Sequence, residues 1–368
     1  MFFAYNKIGS DNMLIKTPDY YKNFTCLAGK CKYSCCKSGW EIVIDKNSLD
    51  FYKTIDGSFG NKLKQTIKVD KKENCFKSVN NICPFFNSNG LCDIQCEFGE
   101  EHLCKTCRTY PRFTYEYGPL RETGISLSCP EAARLIVEKT SPVLFKEKKT
   151  NETVSTYNDI SAELFMFLTK ARDTAIKICQ SRSLPVNIRA AILLKFAKKV
   201  QKDIKSKNYN KTNIIEKYSS DEFLKLKSSR LKLNLAKTEN HKLYFKTFIS
   251  LEHLPSLNNY INKIESNLNR LTSENFYEKN SYRYEQILVY FIYKYFLEAL
   301  FDYDVISKVK LAVVSIVIID KLQQIFKDDF IDIVCMYSRD IEHSDKNLNN
   351  LKKSFKHKDE FKFKNIIL

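Results

Sequence analysis

The spacing of apolar residues changes near residue 150. Beyond that point, Leu164, Phe165, Leu168, Ala171, Ala175, Ile176 and Cys179 recur at helical intervals. Pro185 interrupts, and Ile188, Ile192, Phe196 and Val200 mark the next helix. Residues 201–245 are Lys-rich and polar and read as helices joined by mobile connections. Segments 257–272, 283–301 and 305–327 each suit a helix, with Val305–Phe326 as the central one. Its apolar run LAVVSIVII has nine residues, too few to cross a bilayer, so a buried helix is expected and no stable membrane insertion.

Before residue 150 the pattern is fragmentary. Trp40–Asp45 reads as a short strand with apolar residues at 40, 42 and 44. Segment 48–68 has helical spacing at Leu49, Tyr52, Ile55 and Phe59, weakened by Gly57 and Gly60. Residues 69–82 read as loop and NSNG at 87–90 as a tight turn, and a helix is expected to start at Pro130. No period suggests a solenoid.

Cysteine fills the irregular part. Eleven of the thirteen cysteines lie between Cys26 and Cys129, nine of them in CLAGKCKYSCC, CPFFNSNGLC, LCKTCRTYPR and SLSCPEAARL and the other two at Cys75 and Cys96. The odd count and the chain length argue against a disulfide framework. The first residues, MFFAYNKIGSDNM, lack the basic leader and apolar core of a signal peptide, so a cytoplasmic, thiol-reducing location is expected. Thiolates grouped this way bind zinc or iron–sulfur centres. Cys104 and Cys107 form one C-x2-C half-site without a second, and ferredoxin spacing is absent, so spacing leaves zinc and iron–sulfur equally open. Cys179 and Cys335, on apolar helix faces, read as packing thiols. The expected fold is mainly α: a cysteine-rich, irregular or α+β metal-binding module at 1–150, packed on an α-helical domain at 151–368.

Charge adds one constraint. Residues 1–140 carry 20 basic and 16 acidic side chains, and the remainder 40 and 27. The basic half favours an acidic partner, but no nucleic-acid motif is present and nucleic-acid binding is not expected.

Taken together, CLAGKCKYSCCKSGWEIVID, CPFFNSNGLCDI, GEEHLCKTCRTYPR and SLSCPEAARL resemble the flagellin lysine-N-methylases, within the CxxxCC cysteine-cluster proteins. The segments YEQILVYFIYKYFLEAL, VISKVKLAVVSIVII and YSRDIEHSDKNL extend the resemblance to the C-terminal half. It implies a protein-lysine methyltransferase that moves a methyl group from S-adenosylmethionine to surface lysines of flagellin. It also implies a [4Fe-4S] cluster, with Cys26, Cys31, Cys35, Cys36, Cys83, Cys92, Cys107 and Cys129 as the candidate ligand set. Eight thiols exceed the four that one cluster needs, and a second metal is compatible with them.

With only nine glycines and no G-x-G strand-to-helix loop, a Rossmann-type cofactor site is not expected. Arg108, Tyr110 and Arg112 are candidates to grip the cofactor carboxylate, against the plainer alternative of pairing with Glu97, Glu100 or Glu101. Tyr337, Arg339, Glu342 and His343 are the candidate catalytic group, against the alternative of a solvated helix face. Trp40 reads more often as core than as a cation-facing ring, and His102 as incidental. The rival reading is a non-enzymatic, zinc-stabilised protein that docks an acidic partner.

Overall fold

The computed structural model describes residues 12–69, 73–153, 160–209, 213–230, 238–254, 257–270, 280–327, 329–363 and 366. The leader reading at residues 1–11 and parts of segments 69–82, 201–245 and 257–272 lie outside them. The described residues are mainly helical, with two small sheets among those up to residue 153.

The strands are β1 (Asn12–Pro18), β2 (Ile42–Val43), β3 (Ile67–Val69), β4 (Asn74–Phe76), β5 (Arg112–Tyr117), β6 (Leu120–Ile125) and β7 (Phe145–Thr153). Four of them form a sheet in the order β5-β6-β1-β7. β5 and β6 are an antiparallel hairpin, β1 runs parallel to β6, and β7 pairs antiparallel with β1. One face of this sheet lies on the helices. There Glu122 forms a buried ion pair with Arg172, and the Tyr293 hydroxyl donates to the carbonyls of Lys16 at 2.8 Å and Thr123 at 3.1 Å. The large core therefore draws on Leu120, Ile125 and Ile136 as well as on the later helices. A second, smaller core gathers Ile44, Leu49, Tyr52, Leu63, Phe76, Phe85 and Ile94 around the three-stranded sheet β2-β4-β3.

Val305–Phe326 is the expected central helix. It is buried on every side from Leu311 to Leu322, which explains why its apolar run shows no stripe. Asp304 caps it, accepting from the Ser307 N–H at 3.1 Å and the Ser307 hydroxyl at 2.8 Å. Among the described residues no helix is long and apolar enough to cross a membrane.

Several local expectations are corrected. Segment 48–68 is two helices, Lys46–Thr54 and Gly57–Thr66, because the chain turns at Gly57 with φ +75°. The Trp40–Asp45 strand shrinks to Ile42–Val43, since Asp45 caps the next helix by accepting from the Ser48 N–H at 3.2 Å. The expected loop at 69–82 contains β4 and a Val79–Ile82 bridge. Segment 283–301 breaks at Phe296 into Ser281–Tyr295, a 3-10 turn and Ala299–Asp302.

Candidate functional site

A cavity of about 430 Å³ lies between the cysteine knots and the Phe330–Glu342 helix. Cys26, Cys31, Cys35, Cys36, Cys92, Cys107 and Cys129 line it, with Arg108, Tyr110, Arg112 and Arg339. Residues separated by more than 200 positions thus share one wall.

Short turns present the thiols. Ala28–Lys30 and Cys35–Lys37 are single 3-10 turns, and the Ser34 hydroxyl accepts from the Cys36 N–H at 3.3 Å. The first knot packs on the 87–92 turn so closely that a Cβ at Gly29 would stand 2.9 Å from the Asn89 carbonyl oxygen. Cys92, Cys104 and Cys129 each occupy the position just before a helix, at Asp93–Phe98, Lys105–Thr109 and Pro130–Val137.

The thiols form two neighbouring groups. Cys36 lies beside Cys35 and Cys83 and near Cys92, while Cys107 lies beside Cys104 and near Cys35 and Cys36, all as free thiols. Cys129 senses Cys31 and Cys26. Cys83 stands outside the cavity lining, behind Cys36, with its N–H donating to the Cys36 carbonyl at 2.8 Å. Burial raises the Cys31 and Cys129 thiols, the latter to about 11, although the amides of Ala132 and Glu131 act in the opposite sense. Among the described residues, no three Cys, His, Asp or Glu side chains stand as a ready-made ligand set for one metal ion.

The Phe330–Glu342 helix reaches the cavity through Arg339 and packs one face on the cysteine-bearing segments. Asp332 takes Lys32 at 2.5 Å and the Tyr33 hydroxyl at 3.1 Å. Cys335 Sγ donates to the Ser128 carbonyl at 3.0 Å. Arg339 donates through Nε to the same carbonyl at 2.8 Å and through Nη2 to the Tyr33 carbonyl at 2.6 Å. Its guanidinium lies 5.5 Å from the Trp40 ring centroid. The intervals 332, 335, 339 and 343 are those of a single helical stripe. His343, just past the helix end, meets Ser128 Oγ at 2.7 Å and lies against the Trp40 ring at 4.5 Å. Burial, reinforced by Lys294 and Arg339, pushes its pKa down to about 4, so the ring is neutral at pH 7.

The other candidate residues divide. Tyr110 lines the cavity and its hydroxyl meets Ser128 Oγ at 3.1 Å. Arg108 is exposed and donates to the Glu101 carbonyl at 2.9 Å, and Arg112 lies 5.0 Å from the Phe24 ring centroid. Neither guanidinium pairs with a carboxylate among the described residues. Glu342 is set deeper, accepting from Lys294 at 2.6 Å, Tyr290 and Tyr295 at 2.8 Å each, and Ser338 at 2.5 Å. Burial opposes its charge, but Lys294 and these bonds hold the carboxyl below its ordinary value. Tyr337 is not brought to the cavity: its hydroxyl meets Ser315 Oγ at 2.9 Å and its ring stacks on Phe248 within the core. The solvated-face alternative fails for Arg339 and Glu342, which are both largely buried.

Two participants escaped the sequence reading. Ser128 joins Tyr110, Ser126, His343, Arg339 and Cys335, and only its place beside Cys129 in SLSCPE hints at that. Cys335 is the buried packing thiol expected, and it also donates to the Ser128 carbonyl that Arg339, one helical turn away, shares. Trp40 does face a cation, and its buried indole N–H meets no acceptor among the described residues. His102 stacks on Phe51 at 4.0 Å, apart from the cavity.

A mainly helical protein in which a helix of the C-terminal half brings Arg339 to a thiol-lined, arginine-rimmed cavity is the class that fold and site define. Comparison places it further: the family model described as FliB lysine N-methylase C-terminal domain matches residues 172–368, and the chain belongs to that family. It is 28% identical over 143 residues to the flagellar biosynthetic protein FliU of Salmonella muenchen, covering 37% of this chain and 84% of FliU. It is also 28% identical over 141 residues to the lysine-N-methylases of Salmonella choleraesuis and Salmonella typhimurium, covering 36% of this chain and 35% of each relative. The chain thus aligns with about a third of the length of those two proteins. No solved structure matches. The matched segment holds Arg339, Glu342 and His343, whereas the eleven clustered cysteines all precede it.

Proposed function

We propose that this protein is a protein-lysine methyltransferase that transfers a methyl group from S-adenosylmethionine to lysines of flagellin, at the cavity beside Arg339. One observation carries the reading: seven thiols and four residues able to hold a carboxylate or a proton converge on one cavity, one of them, Arg339, from the family-matched half.

The donor chemistry fits an iron–sulfur cluster. All the candidates are soft sulfur ligands, and burial keeps Cys31 and Cys129 protonated unless a cation compensates. Cys36, Cys83, Cys92 and Cys107 would supply one set of thiolates, and Cys26, Cys31 and Cys129, with Cys35 between the groups, another. When bound, such a cluster supplies a Lewis-acidic iron able to take amine and carboxylate donors.

The protein's own part is binding and proton handling. Arg108, Arg112 and Arg339 give the wall a positive rim that favours a carboxylate. At pH 7 only about one free lysine in 2,500 is neutral, so the substrate amine must be deprotonated. The cationic rim lowers its pKa. Its proton is lost to solvent water, since neutral His343, with a pKa of about 4, is too weak a base to keep it, and the Tyr110 hydroxyl, joined to Ser128, is placed to orient the neutral amine. The amine lone pair then attacks the sulfonium methyl: the N–C bond forms, the C–S bond breaks and its electron pair returns to sulfur. Glu342, held with Lys294, fixes the end of the helix that carries Arg339.

The test is incubation of anaerobically purified protein with flagellin and S-adenosylmethionine, followed by mass spectrometry. Methyl groups on flagellin lysines, with iron and sulfide in the protein, are expected. Zinc without sulfide and unmodified flagellin would favour the non-enzymatic binding protein instead.

A further inference from the structure

The four-stranded sheet ends in two unlike edges, β5 and β7. β7 carries Lys146, Lys148 and Lys149, charges that discourage another strand from pairing. β5 has the sequence RFTYEY, rich in aromatic and β-branched residues, and its first residue, Arg112, stands on the cavity wall.

The ladder fixes which main-chain groups of β5 face outward. The Ser126 N–H donates to the Pro111 carbonyl at 2.9 Å, and the register pairs Phe113 with Gly124 and Tyr115 with Glu122. Bonded and non-bonded pairs alternate in an antiparallel hairpin. Residues 111, 113 and 115 therefore turn their main-chain groups toward β6, and Arg112 and Thr114 turn theirs away. Both are exposed, and these outward groups meet no partner among the described residues. The strand is held from within: Phe113 lies under Lys294, 5.1 Å from its ring centroid, and edge-on to Tyr290.

We propose that this edge accepts an extended, lysine-bearing segment of the protein substrate as an added strand, which leads the target lysine past Arg112 into the cavity. This rests on the methyltransferase reading. Main-chain pairing is indifferent to most side chains, so one edge serves lysines in several sequence contexts, provided the segment is extended.

Thr114→Pro is the decisive variant. It removes an outward N–H that the hairpin does not use, at the kind of edge position where proline is tolerated. Thr114→Val is its control. Amide exchange of the wild-type protein is measured with and without saturating flagellin, alongside KM and kcat for methyl transfer. Flagellin is expected to slow exchange across residues 112–116. Thr114→Pro should raise KM about tenfold, the worth of one lost hydrogen bond, with kcat and the thermal midpoint little changed. Thr114→Val should behave as wild type. Unaltered exchange at 112–116, or a folded Thr114→Pro protein with wild-type KM, overturns the proposal. If the wild-type protein transfers no methyl group, the methyltransferase reading falls and the exchange result still decides whether this edge binds. The same measurement decides if Thr114→Pro does not fold.

Discussion

Replacing Arg339 with alanine tests how the cysteine knots are attached to the helical core. Its guanidinium donates to the carbonyls of Ser128 and Tyr33 and lies over Trp40. Ser128 is fully buried, so its bond takes the upper part of the range for charged donors, about 2.5 kcal/mol, and that to half-buried Tyr33 about 1.5 kcal/mol. Contact with the indole adds about 1 kcal/mol. Against this, alanine no longer carries a charge into the interior, which returns about 2 kcal/mol. Arg339→Ala should therefore lose about 3 kcal/mol in urea unfolding followed by circular dichroism. Arg339→Lys keeps the charge but cannot fork onto two carbonyls, and should recover less than half of the loss. A double-mutant cycle with Trp40→Leu, which removes the aromatic face, should return a coupling of about 1 kcal/mol. An Arg339→Ala protein within 0.5 kcal/mol of wild type would refute the reasoning, because the helix would then not be pinned through this residue.

His253 lies against Asp340, and although burial alone would lower its pKa, Asp340 raises it above the ordinary value. Its contribution to stability is therefore complete below the unfolded value of about 6.5 and is lost as pH rises through the higher folded value. Thermal midpoints across this window should fall for the wild type and flatten for His253→Gln. Glu342→Gln leaves Lys294 buried without its counter-charge and should cost about 3–5 kcal/mol in urea unfolding. Cys179 is buried in the helical core, where burial raises its thiol to about 12, so Cys179→Ala should leave iron and sulfide content unchanged while Cys36→Ser lowers both. Analysis of metal and sulfide on anaerobically purified variants checks the pair.

The helical half was legible because its helices carry regular apolar spacing, as in Leu164 to Cys179, or a continuous apolar run, as in Val305 to Phe326. The four-stranded sheet was not. β7 reads FKEKKTNET, an edge strand held by main-chain bonds to β1, so its side chains carry no alternation to detect. Candidate cysteines were visible from their grouping, and Arg339 and His343 from their helical interval. What joins them was hidden: the Ser128 carbonyl and hydroxyl reach Arg339 and His343, more than 200 residues away.

The pairing of β1 with β6 and β7 also sets an order of events during synthesis. β1 ends at Pro18 and its last partner is complete only at Thr153, some 135 residues later. At about 5–20 residues per second, the first strand waits roughly 7–27 seconds for that partner. All eleven grouped cysteines leave the ribosome within this interval, before the sheet can close behind them. If the thiols take inorganic partners as proposed, a reducing environment and a supply of those partners matter most at that stage, before β7 arrives.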